Sequence, residues 1–433
     1  MKRIFKCSII LFCIYSPYWG MAQDSSQKAL DEALEGLDQE KPLVLSKDPG
    51  LLSKQVGTSN LWMDFSLNAL MAVGGSTVDD ESLQSLEGGA HDPKKNGFTL
   101  QQVELGFQGA IDPYLRGEAY ITFSIDPLDG ETTVELEEAF LTTQSLPFGL
   151  QIEAGQMLTD FGLKNPTHPH SWFWQDQPFI LTRLFGGDGQ RGVGARIGWL
   201  IPIPWFADFS LGIQNANGET MPSFLANQEV FEERAIGGLP FTDRGVNGIE
   251  DFVYLVRLVQ SWIFLKNFTT QIGASGLYGP NATGSNSATW IWGVDFLLKW
   301  KPERSFRGWP FVIFEGEFMQ RIYDIDDFFL PVDPLLDYGF YTQILYGFYL
   351  RWAAGLRGEF GTGNGESVTF RENDPYRDDR FRISPLIAWY LSEFSRLRLQ
   401  YNYDNADHLP SGDAHSVWFG IEFTLGKHAA HKF

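Results

Sequence analysis

From Leu61 onward, apolar side chains fall on every second residue, in stretches of about ten that recur down the chain. In the first stretch Leu61, Met63, Phe65, Leu67, Ala69, Met71 and Val73 are apolar. Asp64, Ser66 and Asn68 stand between them, while Trp62, Leu70 and Ala72 blur the polar side. A period of two belongs to a strand whose two faces meet different surroundings. Lipid outside and water inside impose it over the length of one membrane crossing. No run approaches the ~18 consecutive apolar residues of a membrane-spanning helix. The expected fold is all-β, a transmembrane antiparallel up-and-down barrel.

Sixteen strands can be read, near 61–73, 98–110, 115–124, 132–144, 149–158, 191–200, 207–215, 249–263, 268–278, 289–301, 310–323, 339–348, 353–361, 380–392, 396–404 and 414–426. Those at 249–263 and 268–278 are the least regular, so counts of 14 and 18 stay open. The connections sort by parity. Odd-numbered ones are long and acidic, and even-numbered ones are nearly all tight, as in barrels with long outer loops and short periplasmic turns. The apolar face of the last strand, Val417, Phe419, Ile421, Phe423 and Leu425, runs in phase with the final Phe433. Such an aromatic terminus is expected to engage the outer-membrane assembly machinery.

Three regions are expected. Residues 1–22 read as a signal peptide, basic first, then apolar, ending in Gly20, Met21 and Ala22. Residues 23–59 read as a short helical or disordered periplasmic segment with a leucine stripe at Leu30, Leu34 and Leu37. Residues 60–433 form the barrel. Both cysteines, Cys7 and Cys13, fall in the first region, so no disulfide or thiolate site is expected beyond it. The net charge is −21, and removing Lys2, Arg3 and Lys6 with the signal leaves about −24. That balance excludes nucleic acid as a partner, since nothing would neutralise its phosphates. Outer-membrane lipids and small solutes are the expected partners, and a homo-oligomer stays open.

Four stretches carry a resemblance: Val134-Glu135-Leu136-Glu137-Glu138-Ala139-Phe140, Leu146-Pro147-Phe148-Gly149-Leu150-Gln151 through Ala154-Gly155, Asn165-Pro166-Thr167-His168-Pro169-His170, and the tail from Leu425 to Phe433. Together they resemble porin-like outer-membrane proteins often labelled zinc-regulated TonB-dependent receptors. The architecture is also similar to the phosphate-selective porin O and P group. The resemblance implies a porin-like barrel. Energised uptake needs a 22-stranded barrel with a separate plug domain, and residues 23–59 are too few for one.

Strand phase assigns the interior. Glu104, Glu118, Glu135, Glu137 and Glu153 should point inward on one side. Arg357, Arg380, Arg382, Arg396 and Arg398 should do so on another, with Glu359 and Asp404 among them. Asp295, Glu315, Glu317 and Arg321 form a mixed group. Rings of charge select ions, so these residues are expected to line a water-filled pore crossed by a transverse field. A salt-bridged lattice filling the interior is the alternative. The connection 159–190 is apolar for a solvated loop, and Trp172, Phe173 and Trp174 are expected to turn inward and constrict the lumen. His168 and His170 are the candidate metal ligands, with Asp176 the only nearby carboxylate along the chain. The aspartates of loop 324–338 suit hard cations such as calcium, without EF-hand spacing.

No Gly-x-Ser-x-Gly elbow occurs, and the seven histidines sit mostly in loops or the tail, so neither catalysis nor a cofactor is expected. The expected function is an outer-membrane channel for small hydrophilic solutes or ions. A structural or adhesive barrel with a closed lumen, and a metal-uptake receptor, are the alternatives.

Overall fold

A computed structural model describes residues 55–56, 59–60, 63–86, 88–110, 112–126, 130–233, 235–239, 241–325, 333–364 and 374–426. The expected signal peptide, the leucine stripe and Phe433 lie outside the described residues. Sixteen strands form one closed barrel: β1 (Met63–Ser76), β2 (Gly97–Ala110), β3 (Leu115–Ile125), β4 (Thr132–Thr143), β5 (Leu150–Leu158), β6 (Arg191–Leu200), β7 (Phe206–Asn215), β8 (Phe252–Phe264), β9 (Phe268–Pro280), β10 (Ala288–Trp300), β11 (Phe311–Tyr323), β12 (Leu335–Tyr349), β13 (Trp352–Asn364), β14 (Arg380–Ser392), β15 (Ser395–Ala406) and β16 (Asp413–Gly426). Every strand pairs antiparallel with its sequence neighbours. β16 closes on β1, from Ser416 opposite Ser76 to Gly426 opposite Ser66. Closure leaves no open edge, which hydrocarbon would not tolerate. The two strands read as least regular, β8 and β9, pair without a break from Tyr254 opposite Tyr278 to Phe264 opposite Phe268.

The alternation survives folding. On β16, Val417, Phe419, Ile421, Phe423 and Leu425 are exposed, and Ser416, Trp418, Glu422 and Thr424 are buried. Aromatic side chains mark both rims. Trp352 and Trp389 stack 5.4 Å apart beside a tight turn, and Tyr278 meets Trp290 at 4.4 Å at the opposite, long-loop end. An apolar exterior between two aromatic girdles is the surface of a barrel standing in a bilayer.

Among the described residues, the long connections carry three short α-helices: α1 (Asp80–Leu86), α2 (Phe179–Phe185) and α3 (Gln228–Glu233). The segment 159–190, which contains α2, runs inward. Phe161, Ile180, Leu181, Leu184 and Phe185 lose nearly all contact with solvent against interior residues such as Ile291, Met319 and Tyr341. These clustered inner side chains are where the apolar core of this barrel lies. Barrels of this width have room for an aqueous channel, and here much of that room holds the inner loop.

Candidate functional site

Glycine opens the space that the inner loop takes up. A Cβ on Gly355 of β13 would stand 2.9 Å from the Trp174 ring, and one on Gly420 of β16 would run into Gln175 Oε1. Trp174 lies in a second buried cluster with Trp309, Phe311, Leu345, Leu386 and Tyr390, and its indole N–H donates to the Ser384 carbonyl at 2.9 Å. Trp172 is buried beside it and Phe173 half-buried. Trp172 and Trp174 are thus enclosed within the barrel, and Phe173 packs at the edge of the same cluster.

Asp176 ties this loop to the basic wall. Its carboxylate accepts hydrogen bonds from Arg357 at 2.5 Å, Arg382 at 2.9 Å, Gln400 at 2.8 Å and Asn402 at 2.9 Å. Burial opposes its charge, but Arg357 and Arg382 more than offset this and hold the carboxyl below its ordinary value. Asp92, on the loop between α1 and β2, goes the other way. Burial and the nearby Asp176 charge raise it to about 6.

The rest of the basic wall is equally engaged. Arg380 and Arg382 share Asp404 at 2.7 Å each, and Arg396 and Arg398 share Glu422 at 2.5 and 2.9 Å. Arg396 also donates to the Trp172 carbonyl and Arg398 to that of Trp174, both at 2.8 Å. Arg357 pairs with Glu359 at 2.7 Å, and the other Glu359 oxygen accepts the Phe179 N–H. Across the barrel, Asp295 pairs with Arg257 at 2.8 Å, and Glu315 with Lys164 of the loop. Glu317 accepts from Tyr341 and from the Lys164 N–H, and Arg321 bonds Asp337 at 2.7 Å.

This corrects the picture of two opposed charged walls facing open water. Arg357, Arg382, Arg396 and Arg398 are each about 1% exposed or less, under the inner loop. Burying cations is costly unless each meets an anion or carbonyl, and the loop supplies both. Charged side chains left partly accessible include Glu118, Glu135, Glu153, Asp160, Arg116 and Arg196. Glu153, Asp160, Arg196, Asp208 and Ser210 help to line a cavity of about 370 Å³ at the tight-turn end of β5, β6 and β7.

The candidate ligands His168 and His170 meet acids other than Asp176. Carboxylates distant along the chain surround them. His168 Nδ1 lies 3.0 Å from Glu104 Oε2 and 3.3 Å from Glu137 Oε2, while Nε2 lies 2.9 Å from Glu138. His170 Nδ1 is 3.5 Å from the same Glu104 oxygen. Tyr120 packs on the His168 ring at 4.6 Å. Glu138 escapes a reading by strict alternation because of a bulge. Tyr120 pairs with Glu138 but Ile121 with Leu136, so Glu137 is the extra residue and both glutamates turn inward. Two adjacent acids inside a membrane strand were the available signal, since one of them would otherwise face lipid. In the acidic loop, Asp337 is committed to Arg321 and Arg377, and residues 326–332 lie outside the described residues.

No model of a known protein family matches the chain. An uncharacterised protein of Aquifex aeolicus (strain VF5) is 27% identical over an alignment of 358 positions that covers 78% of this chain and 71% of that protein. Among solved structures, the outer-membrane channel DcaP of Acinetobacter baumannii superposes with a TM-score of 0.55 at 10% identity, covering 86% of this chain and all of that one. The anion-selective porin of Comamonas acidovorans gives 0.52 at 10% identity over 84% of this chain and all of its own. OmpT of Vibrio cholerae in its trimer form gives 0.52 at 8% identity, over 84% and 99%. The shared feature is the fold. The chain has the fold of the outer-membrane porins, a 16-stranded barrel of the kind that stands in a bacterial outer membrane.

Proposed function

We propose that the chain is a porin-type channel for small hydrophilic solutes or ions, without catalytic activity, whose passage is set by the inner loop 159–190. The observation that carries this reading is the knot at Asp176. One loop carboxylate holds two buried arginines of the opposite wall, so beside the apolar contacts of Trp174 and α2 the loop is held by polar contacts that can be exchanged for water. The filled interior also favours a second reading, a structural or adhesive barrel that never conducts. Catalysis finds little support. Ser85 Oγ approaches His408 Nε2 at 3.2 Å, but no orienting acid among the described residues bonds its Nδ1. Burial, Arg380 and Arg183 pull that imidazole down to about 4, which makes it a poor base at neutral pH.

Planar-bilayer recording separates the two readings. Wild-type protein is expected to give small, infrequent conductance steps. Asp176→Ala, and independently Gly355→Leu, which drives a side chain into the place of Trp174, are expected to enlarge them or make them more frequent. If all three proteins are well folded and none conducts, the barrel is structural.

A further inference from the structure

We propose that Glu104, Glu137 and His168 form a binding site for one divalent transition metal ion of the zinc class, joining the inner loop to the barrel wall. The donor atoms come from three elements. Glu104 lies on β2, Glu137 on the bulge of β4 and His168 on the inner loop, and one ligand atom from each falls within 4.8 Å of the others. All three residues are more than nine-tenths buried.

The geometry asks for a cation. Glu138 is a carboxylate, so the 2.9 Å contact with His168 requires Nε2 to carry the proton and donate. In the neutral imidazole Nδ1 then turns its lone pair toward Glu104 Oε2 and Glu137 Oε2, two further acceptors. His168 Nδ1 and Glu137 Oε2 make no hydrogen bond of acceptable geometry. A second proton on Nδ1 would serve one carboxylate, whereas a metal ion serves both. The spacing fits as well. Ligands about 2.0–2.1 Å from a tetrahedral zinc lie about 3.3 Å apart, close to the 3.0 and 3.3 Å separations of Nδ1 from the two oxygens.

The surroundings are those of a built site. Asn68 donates to Glu104 Oε1 at 2.9 Å and Gln102 to Oε2 at 3.0 Å, which fixes that carboxylate. Glu138 behind His168 repeats the carboxylate–histidine–metal arrangement that orients an imidazole ligand. Three carboxylates converge, and the guanidinium of Arg191 comes only to 3.9 Å of Glu137 while bonding Glu135. His170, 3.5 Å from Glu104 Oε2, stands where a fourth ligand could enter. One imidazole with two carboxylates suits zinc, manganese or iron(II) better than the all-oxygen shells of calcium and magnesium. The site does not depend on whether the barrel conducts, and its test uses no conductance.

The test is zinc titration, by calorimetry, of full-length protein refolded in detergent and stripped with chelator. Variants are Glu137→Gln, Glu104→Gln and His168→Ala, with exposed His415→Ala as the control. Heat-modifiable mobility establishes that each barrel is folded, and the two isosteric glutamine variants keep the test alive if His168→Ala does not fold. The expected result is one zinc per chain, weakened at least about 10–100-fold by each ligand change and unaltered by His415→Ala. Cobalt(II) should give visible absorption bands of a low-coordinate site that disappear in the same variants. The proposal is overturned if folded wild type binds no stoichiometric zinc. It is equally overturned if both glutamine variants bind as wild type does, or if calcium or magnesium binds as tightly as zinc.

Discussion

Asp176 shows what one side chain can settle. It stands on the inner loop, yet its four hydrogen-bond donors belong to β13, β14 and β15. Removing one partner of a buried ion pair costs roughly 3–5 kcal/mol because the other charge stays behind unpaired. Its pH dependence can be signed. The carboxyl is held below its ordinary value of 3.8, so it adds stability above that value and loses it as pH falls through the depressed folded value. Asp92 is raised to about 6, so it favours the folded state when protonated and withdraws that support as pH climbs from 3.8 through 6. Thermal unfolding of the refolded protein should therefore show greatest stability on the acid side of about 6, falling toward neutrality and again at stronger acid. Asp92→Asn should flatten the neutral limb and Asp176→Asn should reduce the acid limb. Identical profiles for both variants and wild type would remove these residues from the account. The sequence had marked Asp176 only as the one acid near His168 along the chain. Its arginine partners are more than 180 residues away, and no local pattern encodes such a contact.

At the scale of the strand, period two was legible because lipid tolerates few exceptions on the outer face. The inner face reads less well. Leu70 and Ala72 blurred the polar side of β1, and both are buried there, on the strand against which the turn 169–171 packs. An interior filled by protein accepts apolar residues that a water-filled one would not favour. Bulges blur it further, as Glu138 demonstrates. The outer face makes a sharper prediction. Ile387 sits mid-strand on β14 with its side chain half exposed, and Leu391 lies near the rim of the same strand. Ile387→Arg should cost about 2–4 kcal/mol of unfolding free energy in lipid bilayers, and Leu391→Arg no more than about 1. Urea titration of vesicle-refolded protein reads both. Equal, negligible costs would mean that this face does not meet hydrocarbon.

For the whole molecule the question is which part of the interior an ion would meet. Charge read from strand phase put opposed acidic and basic walls around one lumen, and it located the charges without showing what covers them. Folding removes the basic wall from solvent, since Arg396 and Arg398 are spent on Glu422 and on loop carbonyls. The acidic sector stays partly open, and at the cavity between β5 and β7 the carboxylates of Glu153, Asp160 and Asp208 outnumber the guanidiniums that meet them, Arg196 and, 3.6 Å from Asp160, the buried Arg257. A passage bordered by excess carboxylate raises the local concentration of cations. Open channels of the Gly355→Leu variant should therefore pass potassium in preference to chloride. Replacing Glu153 and Asp208 with their amides should pull the reversal potential measured under a salt gradient toward zero. Reversing Arg396 and Arg398 to Glu should instead reduce the yield of folded barrel, because Glu422 and the carbonyls of Trp172 and Trp174 would then face new negative charge in a dry interior. If the arginine reversal gave a fully folded channel with altered selectivity, those arginines would border the ion path, and the inner loop would have to leave the basic wall when the channel opens.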